Sequence, residues 1–166
     1  AELDPLIASF DFAKFSRGTP KADPDELYRL NAKLIHDMPF DDVKDRLSEQ
    51  FKGQIDRNYW RAIRANIARV EDVEQWLSIT HNNIQPIIAE EDVEYISMAA
   101  LTLPEGNFTT ESWGIWIAAI KEKTDRKGKA LFMPLRQALT GMDHGPEMDK
   151  ILPLIGRERV LQRLSL

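Results

Sequence analysis

Residues 131–148 read LFMPLRQALTGMDHGPEM, and their punctuation decides the class of fold. Leu135, Ala138 and Leu139 fall at the spacing that makes one buried side of a helix. Pro134 suits the first turn of that helix, and Gly141 the left-handed position that ends it. Gly145 and Pro146 then open a second helix, which Pro153 and Gly156 close, and RERVLQRL at 157–164 makes a last one. Arg136 and Thr140, one turn apart, share a second side of the first helix. A helix start at Pro146 leaves backbone N–H groups unpaired, and such an end attracts anions or base acceptor atoms. An arginine aimed across it is a credible recognition group for a phosphate or a base edge. The same arginine could instead brace the hinge by bonding to loop carbonyls, and the residues alone leave both readings open.

Working outward, the helical period dominates. Leu27, Leu30, Leu34, Ile35 and Met38 form one stripe. Asp23 serves as its N-cap, Pro24 as its first residue and Glu26 as the partner in a capping box. Pro39 ends it. Val43, Leu47 and Phe51 predict a helix over 41–51, ended by Gly53. Trp60, Ile63, Ile67 and Val70 predict one over 56–70, with Arg57, Arg61 and Arg64 on its other face. Val73, Trp76 and Leu77 mark a short fourth. After the break HNNIQP at 81–86, helices are predicted over 90–101 and 110–124, the second with Trp113, Trp116, Ile117 and Ile120 as a core stripe. DRKGK at 125–129 is a basic loop. No segment alternates with period two, so the class is all-α, two packed helical bundles with a soft boundary within 82–108.

The chain has 166 residues, 43% of them hydrophobic, with no cysteine and a net charge of −5. No apolar run approaches the length needed to span a membrane. Without cysteine there is neither a disulfide framework nor a thiolate metal site. The acidic total argues against a general polyanion binder, but the distribution is uneven. Residues 84–120 carry six acids and no Lys or Arg, whereas 121–166 carry ten Lys and Arg against six acids. That asymmetry points to one local anion-facing surface. The chain opens on Ala1 in what reads as sequence already under way, which suggests a piece of a longer protein.

Catalytic chemistry is nearly absent. His36, His81 and His144 lack metal-ligand spacing, no glycine-rich phosphate loop follows a strand, and no serine sits in a nucleophile elbow. No catalytic residue and no metal ligand is assigned. Asp41, Asp42, Glu90 and Glu91 are read as solvated helix starts, where acids suit the helix dipole.

KGKALFMPLRQALTGMDHGPEM at 127–148, followed by LPLIGRERVLQRL at 152–164, resembles the end of bacterial glutamyl-tRNA synthetases. PDELYRLNAKLIHDM at 24–38 resembles the opening of the anticodon-binding region in the same family. The resemblance implies the all-α class I synthetase anticodon-binding type of fold. It divides into a connector at 1–22, a first helical subdomain at 23–95 and a second at 96–166. It implies a parent that joins glutamate to tRNA using ATP and Mg2+ in an upstream catalytic domain, whose HIGH-like and KMSKS-like signatures are missing here. This chain is then expected to need no cofactor and to bind glutamate tRNA, with glutamine tRNA left open, as a cytoplasmic monomer.

Position by position, the resemblance implies that Arg136 touches an anticodon base. Gly145 and Pro146 lie against the loop through the main chain, and Met148 packs on an unstacked base. His36 stands where some members carry an arginine that reads the first anticodon base. Ala22 replaces an aromatic residue of many relatives. Thr140 and His144 join the anticodon site, and Lys121, Lys123, Arg126, Lys127 and Lys129 meet backbone phosphates. Unpaired anticodon bases can be splayed out and read on their edges, while phosphate contacts give salt-dependent affinity without specificity. Two rival readings are a helical protein-interaction or scaffold domain and, from RNYWRAIRANIAR, a helix-turn-helix DNA binder. The second lacks the short glycine turn and a favourable charge.

Overall fold

The computed structural model describes residues 3–14, 18 and 23–165; Ala22 and the other residues of 1–22 not in that set lie outside it. Among the described residues all regular structure is helical. The helices are α1 (Leu3–Ala8), α2 (Pro24–Asp37), α3 (Phe40–Val43), α4 (Arg57–Ile63), α5 (Val73–His81), α6 (Val93–Leu101), α7 (Ser112–Lys121), α8 (Lys129–Thr140), α9 (Met148–Ile155) and α10 (Arg157–Leu164), with short 3-10 turns between them. No helix among these residues is long and apolar enough to cross a membrane.

α9 is the axial element. It packs on α4, α5 and α7, while α10 packs on α6, α8 and α9. Ile151, Leu152 and Ile155 of α9 are fully buried, as are Trp60 of α4 and Trp116 of α7. The buried side chains form one cluster running from Ile35 to Leu164.

Several predicted helices are shorter or broken, for identifiable reasons. The 41–51 segment is α3 followed by two 3-10 turns, because Leu47 and Ser48 are extended. The 56–70 segment stops at Ile63. Beyond it the Asp72 carboxylate accepts from the backbone N–H groups of Ala68 and Arg69, both at 2.9 Å. That side chain offers the backbone an alternative to helix. The 90–101 helix starts with a 3-10 turn, and the 110–124 helix is trimmed to α7. Pro134 does not open its helix: α8 begins at Lys129, and Pro134 lies inside it, buried. α9 begins at Met148 rather than Pro146 and passes through Pro153, so only Gly156 ends it.

Asp23 caps α2 as expected, accepting from the N–H of Asp25 at 3.0 Å, but no capping box with Glu26 forms. The apolar stripe of α2 is not core. Leu27, Leu30 and Leu34 are 69%, 50% and 56% exposed, and only Ile35 is fully covered. Among the described residues α2 packs chiefly on the Arg64–Asn66 turn, and none of their helices covers the periodic stripe.

Candidate nucleic-acid interface

Leu131, Leu135, Ala138 and Leu139 bury one side of α8 and set Arg136 on its flank. Gly141 closes the helix in the left-handed conformation (φ 68°, ψ 11°), its N–H donating to Gln137 O at 2.9 Å. The chain then crosses to α9 through Gly145, at φ +129°. This glycine is required twice over. The backbone conformation suits only a residue without a side chain, and a Cβ there would fall inside contact distance of the Trp76 indole from α5. The close approach holds Pro146 buried, with its carbonyl accepting from Arg136 Nη2 at 3.0 Å.

The other terminal nitrogen of Arg136, Nη1, is shielded from solvent and has no hydrogen-bond partner among the described residues. Leaving such a group unpaired costs about 1–3 kcal/mol, which asks for an explanation at a native site. Burial lowers the Arg136 pKa, but an arginine stays charged at neutral pH.

Arg136 opens onto a cleft of about 370 Å³ lined with Trp113, Phe132, Glu147, Met148 and Asp149. Trp113 and Phe132 have ring centroids 6.4 Å apart, and Trp113 also meets Trp116 edge-on at 5.7 Å. The expected core stripe is therefore split: Trp116 is fully buried, whereas Trp113 is half-exposed beside Arg136. Trp113 and Phe132, which line the cleft, are not among the site residues expected from the sequence. Their signal was the i, i+3 spacing of Trp113 and Trp116, which describes the core and its rim equally well. Glu147 forms an ion pair with Lys150, whose hydrogen bond and charge hold its carboxyl below the usual range.

The carboxylates make the cleft unlike a phosphate site, since Glu147 and Asp149 would repel an oxyanion. A base edge carries both acceptors and N–H donors, so an arginine beside carboxylates suits a base, and the aromatic pair suits its face.

Other expected residues are spread more widely. Met148 lines the cleft, though its own surface is nearly covered at 5% exposure. Thr140 does not share an open side with Arg136: it is buried, donating to Arg136 O at 2.7 Å and accepting from Met142 N–H at 3.1 Å. His144 is exposed and bonds Asp143 at 2.6 Å. His36 is half-buried in α2, donating from Nε2 to Ile67 O at 3.1 Å, and does not line the cleft. Lys121, Lys123, Lys127 and Lys129 are exposed. Arg126 is instead engaged internally, paired with Asp92, donating to Glu91 O at 3.0 Å and lying 4.4 Å over the Tyr95 ring. Among the described residues no group of three potential ligands is placed to hold a metal ion.

The family model described as an anticodon binding domain matches residues 79–166. The chain belongs to the anticodon binding domain family. This anticodon-binding domain is 49% identical over 165 residues to glutamate–tRNA ligase 2 of Hyphomonas neptunium, covering 99% of the chain and 37% of the relative. It is 44% identical over 161 residues to glutamate–tRNA ligase 2 of Ehrlichia canis, covering 96% and 36%. Glutamate–tRNA ligase 2 of Bartonella tribocorum is 46% identical over 162 residues, with 96% and 35% covered. The domain thus spans a little over a third of the length of these relatives. The matched region contains the whole cleft, α8, the Gly145 corner and α9.

Proposed function

We propose that this anticodon-binding domain reads the anticodon loop of glutamate tRNA as part of a longer, cytoplasmic, monomeric ligase that charges the tRNA with glutamate. In this proposal ATP and Mg2+ are used by the remainder of that longer protein, and residues 23–95 and 96–166 are the two helical halves of the anticodon-binding region, joined upstream by 1–22. One observation carries the reading: the Arg136 guanidinium, held by the Pro146 carbonyl through Nη2, lines a cleft with Trp113 and Phe132. An unpaired base edge offers acceptors to that guanidinium, and Trp113 and Phe132 supply a face to stack on. Gly145, Pro146 and Met148 fix the corner against which the loop lies. Lys121, Lys123, Lys127 and Lys129 meet phosphates. His36, away from this cleft, reads the first anticodon base less strictly than an arginine would, which is why glutamine tRNA is carried as a second candidate.

The test is binding of tRNA to the wild type and Arg136→Met. Loss of one desolvated, charge-assisted contact is worth about 1.5–3 kcal/mol, roughly 10- to 150-fold in Kd. Unchanged affinity with an unchanged circular dichroism spectrum removes Arg136 from the interface. The scaffold reading draws on the exposed stripe of α2 and predicts no salt-sensitive tRNA binding at all.

A further inference from the structure

Across the first turns of α9 from the aromatic cleft lies a second depression, about 710 Å³, lined by Asp56, Asn58, Arg61 and Arg64 of the α4 region, Thr109 and Thr110, and Lys150, Pro153 and Leu154 of α9. Sequence periodicity had singled out Arg57, Arg61 and Arg64 as one face, and the function assigned above uses none of them. The structure separates the three. Arg57 pairs with Asp41 at 2.6 Å, and Arg64 donates to Met38 O at 2.9 Å, bracing the end of α2. Arg61 is exposed and makes no ion pair among the described residues.

Lys150 reaches the same depression from α9. The positive charge of Arg61 acts on it against the stronger pull of its partner Glu147. Two cations from separate helices are therefore held within electrostatic reach of each other. Of the nearby acids, the Asp56 carboxylate caps α4 through Tyr59 N–H at 2.7 Å, Glu147 pairs with Lys150, and the charge of Asp149 also acts on Lys150. Arg61 and Lys150 supply charge, Asn58, Thr109 and Thr110 supply uncharged donors, and Pro153 and Leu154 supply a floor without acceptors. The charge balance is the reverse of that in the aromatic cleft: there one arginine meets two carboxylates, whereas here Arg61, Arg64 and Lys150 meet the single carboxylate of Asp56. One depression suits a heterocycle and the other a phosphate, and α9 supplies residues to both.

We infer that the groove between α4, the Thr109 and Thr110 segment and α9 binds backbone phosphates of the RNA strand whose base enters the Arg136 cleft, with Arg61 and Lys150 as the phosphate contacts. The inference rests on the RNA reading above. It assigns the backbone track to the α4 side of α9, in addition to the lysines at 121–129.

The test uses an anticodon stem-loop RNA, the wild-type chain and the variants Arg61→Gln, Lys150→Gln and the double variant, titrated across a salt series. Each single-strand phosphate contact contributes about 0.7 to the slope of log K against log salt. Each single variant is therefore expected to flatten the slope by about 0.7, and to weaken binding about 5-fold at 0.1 M salt, with the double variant losing about twice the slope. Arg136→Met serves as the reference for base contact. If the wild type binds RNA and Arg136→Met weakens it while the groove variants keep both affinity and slope, the groove inference fails and the anticodon reading stands. If the wild type shows no salt-dependent RNA binding, both fail. A parallel arm adds inorganic phosphate at constant ionic strength. Competition by free phosphate that Arg61→Gln abolishes, without any change in the RNA salt slope, would assign the groove to a small anion and overturn the backbone contact.

Discussion

Replacing Gly145 by alanine tests the corner on which the cleft depends. Two costs add. At φ +129° an L-residue stores about 1–3 kcal/mol of backbone strain. The new Cβ also lands against the Trp76 indole, with Cζ2 and Cζ3 both 3.3 Å away and Cη2 closer still. Trp76 is only 3% exposed, so the ring has nowhere to swing, and overpacking of this kind costs about 1–3 kcal/mol. The expected loss is about 2–6 kcal/mol, or roughly 4–24 °C in Tm at about 2–4 °C per kcal/mol for a chain of this size. Urea denaturation followed by tryptophan fluorescence measures it. Repeating the substitution in a Trp76→Phe background, where the smaller ring withdraws the colliding edge, should cut the penalty by the overpacking share; the double-mutant cycle isolates that share. Below its melting temperature the variant should also bind tRNA more weakly, since a displaced Pro146 carbonyl releases Arg136. A loss under about 0.5 kcal/mol, the scale of an unremarkable surface change, would refute the claim that the indole fixes the corner.

Two further outcomes follow from side chains buried elsewhere. Arg163 is 3% exposed and donates to Leu139 O and Ile79 O at 2.6 Å and to Asn82 O at 2.9 Å, with burial, and then Arg159, bringing its pKa down to about 10. Arg163→Met should cost about 2–5 kcal/mol in urea denaturation, because carbonyls at the ends of α5 and α8 lose their donors, while RNA affinity of the folded protein stays unchanged. Burial pushes the Tyr59 and Tyr95 phenols up to about 12. Folded values raised above the unfolded value near 10 mean that their contribution is complete below pH 10 and is lost as pH rises toward 12; phenolate absorbance should follow unfolding on that limb, and the Tyr59→Phe, Tyr95→Phe double variant should flatten it. Full ionisation of both near pH 10 in the folded protein would contradict the burial argument.

Much of the fold was legible because helix stripes and stop signals are local. Gly141 terminates α8 as its position demands, and α5 and α10 fall where their apolar spacing places them. The failures have non-local causes. Pro134 looks like a helix opener because proline is tolerated there, yet packing carries α8 through it from Lys129. The 56–70 stripe is interrupted by the Asp72 carboxylate, whose contribution depends on where Ala68 and Arg69 lie in space. Leu27, Leu30 and Leu34 keep perfect helical spacing on α2 while remaining exposed; periodicity reports that a face is apolar, not that this chain supplies its cover.

The same distinction governs the site. Arg136 and Arg163 each sit beside a leucine on an amphipathic helix, and each could be a brace or a recognition group on spacing alone. The decision lies in acceptor geometry. Arg163 meets three backbone carbonyls contributed by residues 24, 81 and 84 positions away along the chain, so its donors are spent inside the fold. Arg136 meets one carbonyl, presented by a corner that exists only because residue 145 has no side chain; its second terminal nitrogen has no partner among the described residues, and the residue lines a cleft with Trp113 and Phe132. A brace with an idle, desolvated donor is a poor brace, since removing the charge and filling the space with an apolar side chain would cost little or even stabilise. The mixed arginine and carboxylate lining of the cleft suits an uncharged base edge rather than an oxyanion.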